Sequence, residues 1–335
     1  MAKPILLTWR STRPLFFDRF QSDIHPRLVF MLALPFPAID PALFTLGPIS
    51  MFGMELGPFS LRWYALAYIA GLLLGRVYVN RMLLAEARWP GGKPPVPVEE
   101  TENLLIWMTL GVVLGGRLGY VLFYSPHLLT DPANVFAMWK GGMSFHGGML
   151  GVVVAVILYA KRHKVSLLSL GDAIAIAAPI GLFFGRLANF INGELWGRVT
   201  DVPWAIVFPQ VELYARAYPE LAATIGQGRH PSQLYEAALE GLVLFLVLSH
   251  LAWRTEALKK PGTLIGTFLV GYGLARAFCE FFRMPDVGIG FDFAFGSFGI
   301  SRGQLLCLPM IIGGGLFLKY AQNQALSNSP QTKQT

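Results

Sequence analysis

The feature that most constrains this chain is a recurring run of predominantly apolar residues. About 20 such residues carry an α-helix across the hydrocarbon of a bilayer. Runs of this kind fall at 61–83, 104–124, 144–160, 170–190, 234–253, 262–282 and 303–320, the third being the shortest. In lipid a backbone N–H or C=O finds no water, so each run must close its hydrogen bonds internally as a helix. The pattern predicts an all-α, polytopic integral membrane protein with seven transmembrane helices. Composition agrees: 54% of residues are hydrophobic and only 14% charged, against about 25% charged in an ordinary soluble domain.

The segments between the runs divide the chain further. Residues 1–34 form an N-terminal extension that Arg10, Arg13, Arg19 and Arg27 interrupt. They lack the continuous apolar core of a signal peptide, and they read as a dispensable extension or an early start codon. An arm follows at 35–60, then four spans within 61–190, then a small head at 191–230 with Trp196, Pro203, Pro209 and Pro219. Three spans occupy 231–320, and a polar tail covers 321–335.

Net charge is +7, but no basic run of the kind that binds nucleic acid is present. The basic residues collect instead in alternate loops: Arg81, Arg88 and Lys93; Lys161, Arg162 and Lys164; Arg254, Lys259 and Lys260. Cytoplasmic loops carry that excess. The N-terminus and the head are therefore expected outside, in the periplasm, and the C-terminus inside. Cys279 and Cys307 offer neither a metal spacing nor a disulfide framework, and read as small buried apolar residues. No metal or cofactor is expected.

An ionisable group at membrane depth is costly and is a functional hypothesis by default. Such groups cluster in four segments. In GGMSFHGG, 141–148, His146 stands between paired glycines; it suits proton transfer near neutral pH, or a hydrogen-bonded structural place at a helix end. In GRLANFINGELWGR, 185–198, Arg186 and Asn189 share a helix face, followed by Asn192, Glu194 and Arg198. The arginine fork matches phosphate, and an Arg–Glu pair capping the helix is the plainer reading. In RHPSQLYEAALEG, 229–241, His230 precedes a proline, while Gln233, Glu236 and Glu240 recur at helical spacing and can form an internal polar face. In GYGLARAFCEFFR, 271–283, Tyr272, Arg276 and Glu280 lie on one stripe with Arg283 beyond. There Arg276 either pairs with Glu280 and locks helices or serves an anionic ligand. Arg117 follows Gly115 and Gly116 in the second span, and Tyr64 opens the first.

Taken together and in order, these four motifs resemble the bacterial phosphatidylglycerol–prolipoprotein diacylglyceryl transferases. The resemblance runs from PFPAIDPALFTLGP, near residue 35, to about residue 320. It implies an enzyme of the bacterial cytoplasmic membrane that moves diacylglyceryl from phosphatidylglycerol to the lipobox cysteine of a prolipoprotein signal peptide. The second product is glycerol phosphate, and the step opens lipoprotein maturation. It implies catalytic roles for His146, Arg186, Tyr272 and Arg276, and substrate contacts for Tyr64, Asn189, Glu194, Gly197 and His230; Arg283, beyond Arg276 in the same motif, is expected as a further substrate contact. The partners are membrane lipid and the prolipoprotein, with no nucleic acid. Two departures stand out: 47–64 is longer than usual before the first span, and Ala188 replaces a common glycine.

The chemistry fits those residues. The thiol belongs to the substrate, so the enzyme needs no cysteine nucleophile. His146 is the expected base, and Arg186 and Arg276 the expected holders of phosphate charge. The rival reading is a transporter for an anionic solute, which would use the same arginines as ligands.

Overall fold

The computed structural model describes residues 33–51, 54–130, 132–137, 141–285, 293–295 and 298–327. Nearly all of the expected N-terminal extension, Lys140 and the end of the polar tail lie outside the described residues. Seven main helices form where the apolar runs stand: α1 Trp63–Leu83, α2 Thr101–Phe123, α3 Phe145–His163, α4 Leu167–Asn192, α5 Ser232–Arg254, α6 Thr263–Cys279 and α7 Arg302–Ser327. The protein is a multi-pass membrane protein. By length and composition, five helices among the described residues can cross a bilayer: Val98–Phe123, Phe145–His163, Leu167–Asn192, Ser232–Arg254 and Gly303–Gln324. Helix α6 is apolar but has only 17 residues, about 25 Å at 1.5 Å per residue. Helix α1 carries Arg76 and Arg81. Seven crossings therefore do not follow from helix length alone.

The all-α expectation holds for the membrane part, with short strands added. Ala42–Leu46 pairs antiparallel with Phe59–Arg62, and Ile49–Met51 with Met54–Leu56. The long stretch before the first span is thus a hairpin ladder that ends directly on α1.

The outer faces explain why lipid is the solvent. Leu110, Leu114, Leu118 and Leu122 repeat every fourth residue along α2 and are all about half exposed, which puts them on one outward stripe. Leu308, Ile312 and Leu316 do the same on α7. Inside, small residues set the helix spacing. A Cβ on Gly115 of α2 would stand 2.7 Å from the Gly151 Cα of α3, and one on Gly119 would stand 2.7 Å from the Gly147 Cα. Neither helix tolerates a side chain there, which is how membrane helices come within van der Waals reach.

Caps hold the helix ends. Ser144 and Ser166 accept from the N–H groups of Gly147 and Ser169 at the starts of α3 and α4. Helix α6 has no cap of its own. The carboxylate of Asp172, buried on α4, accepts from the Gly262 and Ile265 N–H groups at 2.8 and 2.9 Å. One end of the bundle is apolar: Ile176 of α4, Leu248 of α5 and Leu264 of α6 join Trp89 and Leu258 in a fully buried core. About ten residues away, roughly 15 Å, toward the C-terminal ends of α4 and α6 and the N-terminal end of α5, the interior turns ionic.

The chain forms two compact units, the smaller from residues up to Pro37 with Arg198–His230, and the larger from the remainder. In the smaller unit Leu34–Pro35 pairs in parallel with Ile206–Val207, and Phe208, Val211 and Leu221 are buried. Arg229 is also buried and donates to the Thr224 hydroxyl. Burial pushes its guanidinium down to about 10.

Candidate active site

Three helices build the ionic interior. Arg186 stands near the end of α4, Glu236 and Glu240 near the start of α5, and Arg276 with Glu280 where α6 ends. Arg186 meets Glu236 at 3.0 Å and Glu240 at 3.1 Å. Arg276 binds Glu236 and Glu280 closely and lies 3.7 Å from Glu240. Arg283 adds a third guanidinium, 3.6 Å from Glu236. Tyr272 sits in the field of the same four charged groups, Glu240, Arg186, Arg276 and Glu236.

Local structure explains how α5 presents two carboxylates to one pair of arginines. Ala237–Val243 winds as a π-helix, a form that recurs at functional sites. Gly241 lies against the backbone of α4, where a Cβ would stand 2.8 Å from the Phe183 Cα. That close approach puts Glu240 beside Arg186, three residues beyond Phe183.

The distribution of exposure has a chemical meaning. Glu236 and Glu240 side chains are 0% exposed and Glu280 6%, whereas Arg186, Arg276 and Arg283 keep 15%, 13% and 12%. The carboxylates are the more deeply buried partners, and the arginine side chains keep the small exposure that remains. A buried ion costs several kcal/mol of desolvation unless it is paired, and here three cations face three anions. Fixed donors in a water-poor place are the arrangement that acts most strongly on negative charge.

Glu280 is held in turn. The Ser301 hydroxyl donates to it at 2.7 Å. Gly303, in the first turn of α7, leaves room for it: a Cβ there would stand 2.7 Å from the carboxylate carbon.

One turn beyond Arg186, a second polar group surrounds the chain as it leaves α4. Asn189 donates to Glu194 at 2.8 Å, and Asn192 does so at 3.4 Å. Gly193 ends the helix with φ 63°, and Leu195 is also left-handed at φ 58°. A leucine there is strained, and its neighbours hold it: Gln233 donates to the Glu194 carbonyl at 2.6 Å and Ser232 to the Leu195 carbonyl at 3.0 Å. Gly197 bridges Arg283 in antiparallel fashion. The Tyr64 hydroxyl lies beside Tyr68 and Asn189.

The structure therefore brings Arg186, Tyr272, Arg276 and Arg283 into one network, and Tyr64, Asn189 and Glu194 into another, with Gly197 bridged to Arg283. The helix-capping pair read from GRLANFINGELWGR does not form as such, since Arg186 pairs with α5 and Glu194 with asparagines. Of the two readings for Arg276, the pairing with Glu280 forms, and the arginine side chain keeps 13% exposure. His146 is exposed at the start of α3, its ring against Phe145 at 5.6 Å. Among the described residues it makes no hydrogen bond or ion pair with either network. His230 belongs to the smaller unit, where its N–H donates to the Arg198 carbonyl at 3.0 Å. Burial lowers its imidazole pKa. Glu280 was visible as a partner of Arg276, whereas Glu236 and Glu240 showed only as a helical spacing and not as counter-charges of the arginines, and Ser301 carried no signal. Cys279 and Cys307 are free and buried.

Fold and site together define a multi-pass membrane protein with a buried, charge-paired cluster of arginines and glutamates among its helices. The sequence model of the prolipoprotein diacylglyceryl transferase family matches residues 52–320, and the chain belongs to that family. Among similar proteins, the phosphatidylglycerol–prolipoprotein diacylglyceryl transferase of Rhodospirillum rubrum is 52% identical over 288 residues, covering 85% of this chain and 93% of its own. The enzyme of the same name from Rhizobium leguminosarum bv. trifolii is 46% identical over 302 residues, covering 90% and 98%. That of Caulobacter vibrioides is 49% identical over 291 residues, covering 84% and 93%.

Proposed function

We propose that this chain transfers the diacylglyceryl group of phosphatidylglycerol to the lipobox cysteine thiol of prolipoproteins. The observation that carries the proposal is the pair Arg186 and Arg276, joined through Glu236, each arginine side chain keeping a small exposure that the carboxylate lacks. The sulfur attacks the glycerol carbon that bears the phosphate. A thioether C–S bond forms, the C–O bond to phosphate breaks, and glycerol phosphate leaves with that oxygen. The thiolate is the nucleophile, so a base is needed. His146 takes the thiol proton, which ends on the released phosphate. Arg186 and Arg276 hold the phosphoryl oxygens as charge gathers there. Tyr272 and Arg283 border that place, while Tyr64, Asn189, Glu194, Gly197 and His230 shape the headgroup contacts.

The enzyme sits in the bacterial cytoplasmic membrane with all seven helices crossing. The arm at 35–60 and the head at 191–230 face the periplasm with the N-terminus, and the tail at 321–335 faces the cytoplasm. The loop arginines and lysines support this orientation. A lipid headgroup and a cysteine at the end of an apolar signal helix then arrive at the same depth.

The test uses purified protein in detergent with phosphatidylglycerol and a lipobox peptide, following peptide mass and released glycerol phosphate. A diacylglyceryl gain on the cysteine, lost in Arg276→Ala, supports the reading. Folded, lipid-supplied protein that yields no gain would sink it and favour an anion transporter. Full activity in His146→Ala would remove His146 as the base.

A further inference from the structure

Arg117 is only 4% exposed, yet it points at no substrate group described above. Its guanidinium instead reaches four backbone carbonyls: Asn134, Val135 and Gly141 at 2.6 Å each, and Gly142 at 3.1 Å. The Tyr120 ring lies 5.5 Å away over the same group. Gly142, at φ 85°, fits under that ring, where a Cβ would stand 2.6 Å from the Tyr120 Cζ. Just beyond, the Ser144 N–H donates to the Gly116 carbonyl at 2.8 Å. So Arg117 and its neighbour Gly116 bind the chain immediately before the helix whose second residue is His146.

We propose that Arg117 is a positioning residue that fixes the start of α3, and through it the place of His146. A planar fork with five donors can serve diverging carbonyls at once; an ammonium group cannot. Charge-assisted hydrogen bonds of this kind are the strong ones. The link to catalysis rests on the transferase reading above, whereas the fixing of the chain does not.

The experiment compares full-length wild type with Arg117→Lys in detergent by three readouts. These are deuterium uptake over 141–148 against that over α6, the rate of His146 acylation by diethyl pyrocarbonate, and kcat and KM in the transfer assay. In Arg117→Lys, uptake over 141–148 should rise at least about tenfold in rate with α6 unchanged, and His146 acylation should change in step. Transfer should lose about 10²-fold, mainly in kcat, the scale of a small misplacement of a reacting group. Should the lysine variant fail to fold, Arg117→Ala with added guanidinium ion makes the same comparison. Guanidinium should restore both the slow exchange and the transfer, and ammonium neither. Unchanged exchange and acylation overturn the proposal, as does a loosened 141–148 with full transfer. A wild type without transfer sinks the function while leaving the exchange result decisive for the positioning.

Discussion

Arg186 and Arg276 are 90 residues apart in sequence, and they grip opposite oxygens of one carboxylate, that of Glu236. Glu236 is therefore the keystone of the site rather than a bystander. It sets the spacing of the two guanidiniums and offsets part of their charge in a buried place.

Glu236→Gln should consequently fail on two counts. Removing one partner of a buried ionic network costs about 3–5 kcal/mol, which should show as a clear drop in melting temperature in detergent. Transfer should fall on the order of 10²-fold or more, the scale seen when a preorganised charge-stabilising group is disturbed. A variant with wild-type turnover would show that the arginine spacing does not matter.

Asp172 tests the architecture away from the site. Its carboxylate caps α6 from α4, and α4 and α6 carry the two key arginines. Asp172→Ala leaves two N–H groups without an acceptor, at about 1–3 kcal/mol each if they stay buried. Thermal unfolding should move down accordingly, and an unchanged melting curve would mean that α6 finds other partners.

Gly303 and Gly313 make a matched pair on α7. A methyl group at Gly303 would press on the Glu280 carboxylate, whereas one at Gly313 meets nothing within 4 Å. Gly303→Ala should weaken transfer by about an order of magnitude through Arg276, since small displacements of charged partners are costly. Gly313→Ala should match wild type. Equal activities in the two variants would contradict the link from α7 to Arg276.

The smaller unit predicts a pH effect. Burial holds the His230 imidazole below its ordinary value, which is about 6.5 in the unfolded chain. Between those two values the unfolded state binds more protons, so stability rises with pH up to about 6.5 and falls as pH drops below it. Melting temperature should therefore decline from pH 7.5 toward 5.5, and His230→Gln should flatten part of that decline. An identical slope in the variant would assign the effect to other groups.

Much of the larger unit was legible because lipid imposes a simple rule. Each run of apolar residues had to become a helix, and every expected span contains one, with ends shifted by three residues or fewer except that α7 runs on to Ser327. The hairpin ladder over 42–62 escaped notice, because short strands stabilised by pairing leave little periodicity. Arg186, Tyr272 and Arg276 stood out for a similar reason: charge and hydroxyl groups are rare in apolar helices, so their presence is informative by itself.

The apolar runs were enough to place the helices, and the four polar motifs were enough to point to the family and to candidate site residues. The tertiary structure alone decided the pairing. Nothing along the chain says that Arg186 would choose Glu236 and Glu240 over the nearby Glu194, or that Ser301 would hold Glu280. Those choices depend on which helix faces meet, and the meeting is set by glycines that permit contact and by a cap from one helix to another. Helix formation is local and is written in consecutive residues, whereas ion pairing across a bundle is a property of the packed whole.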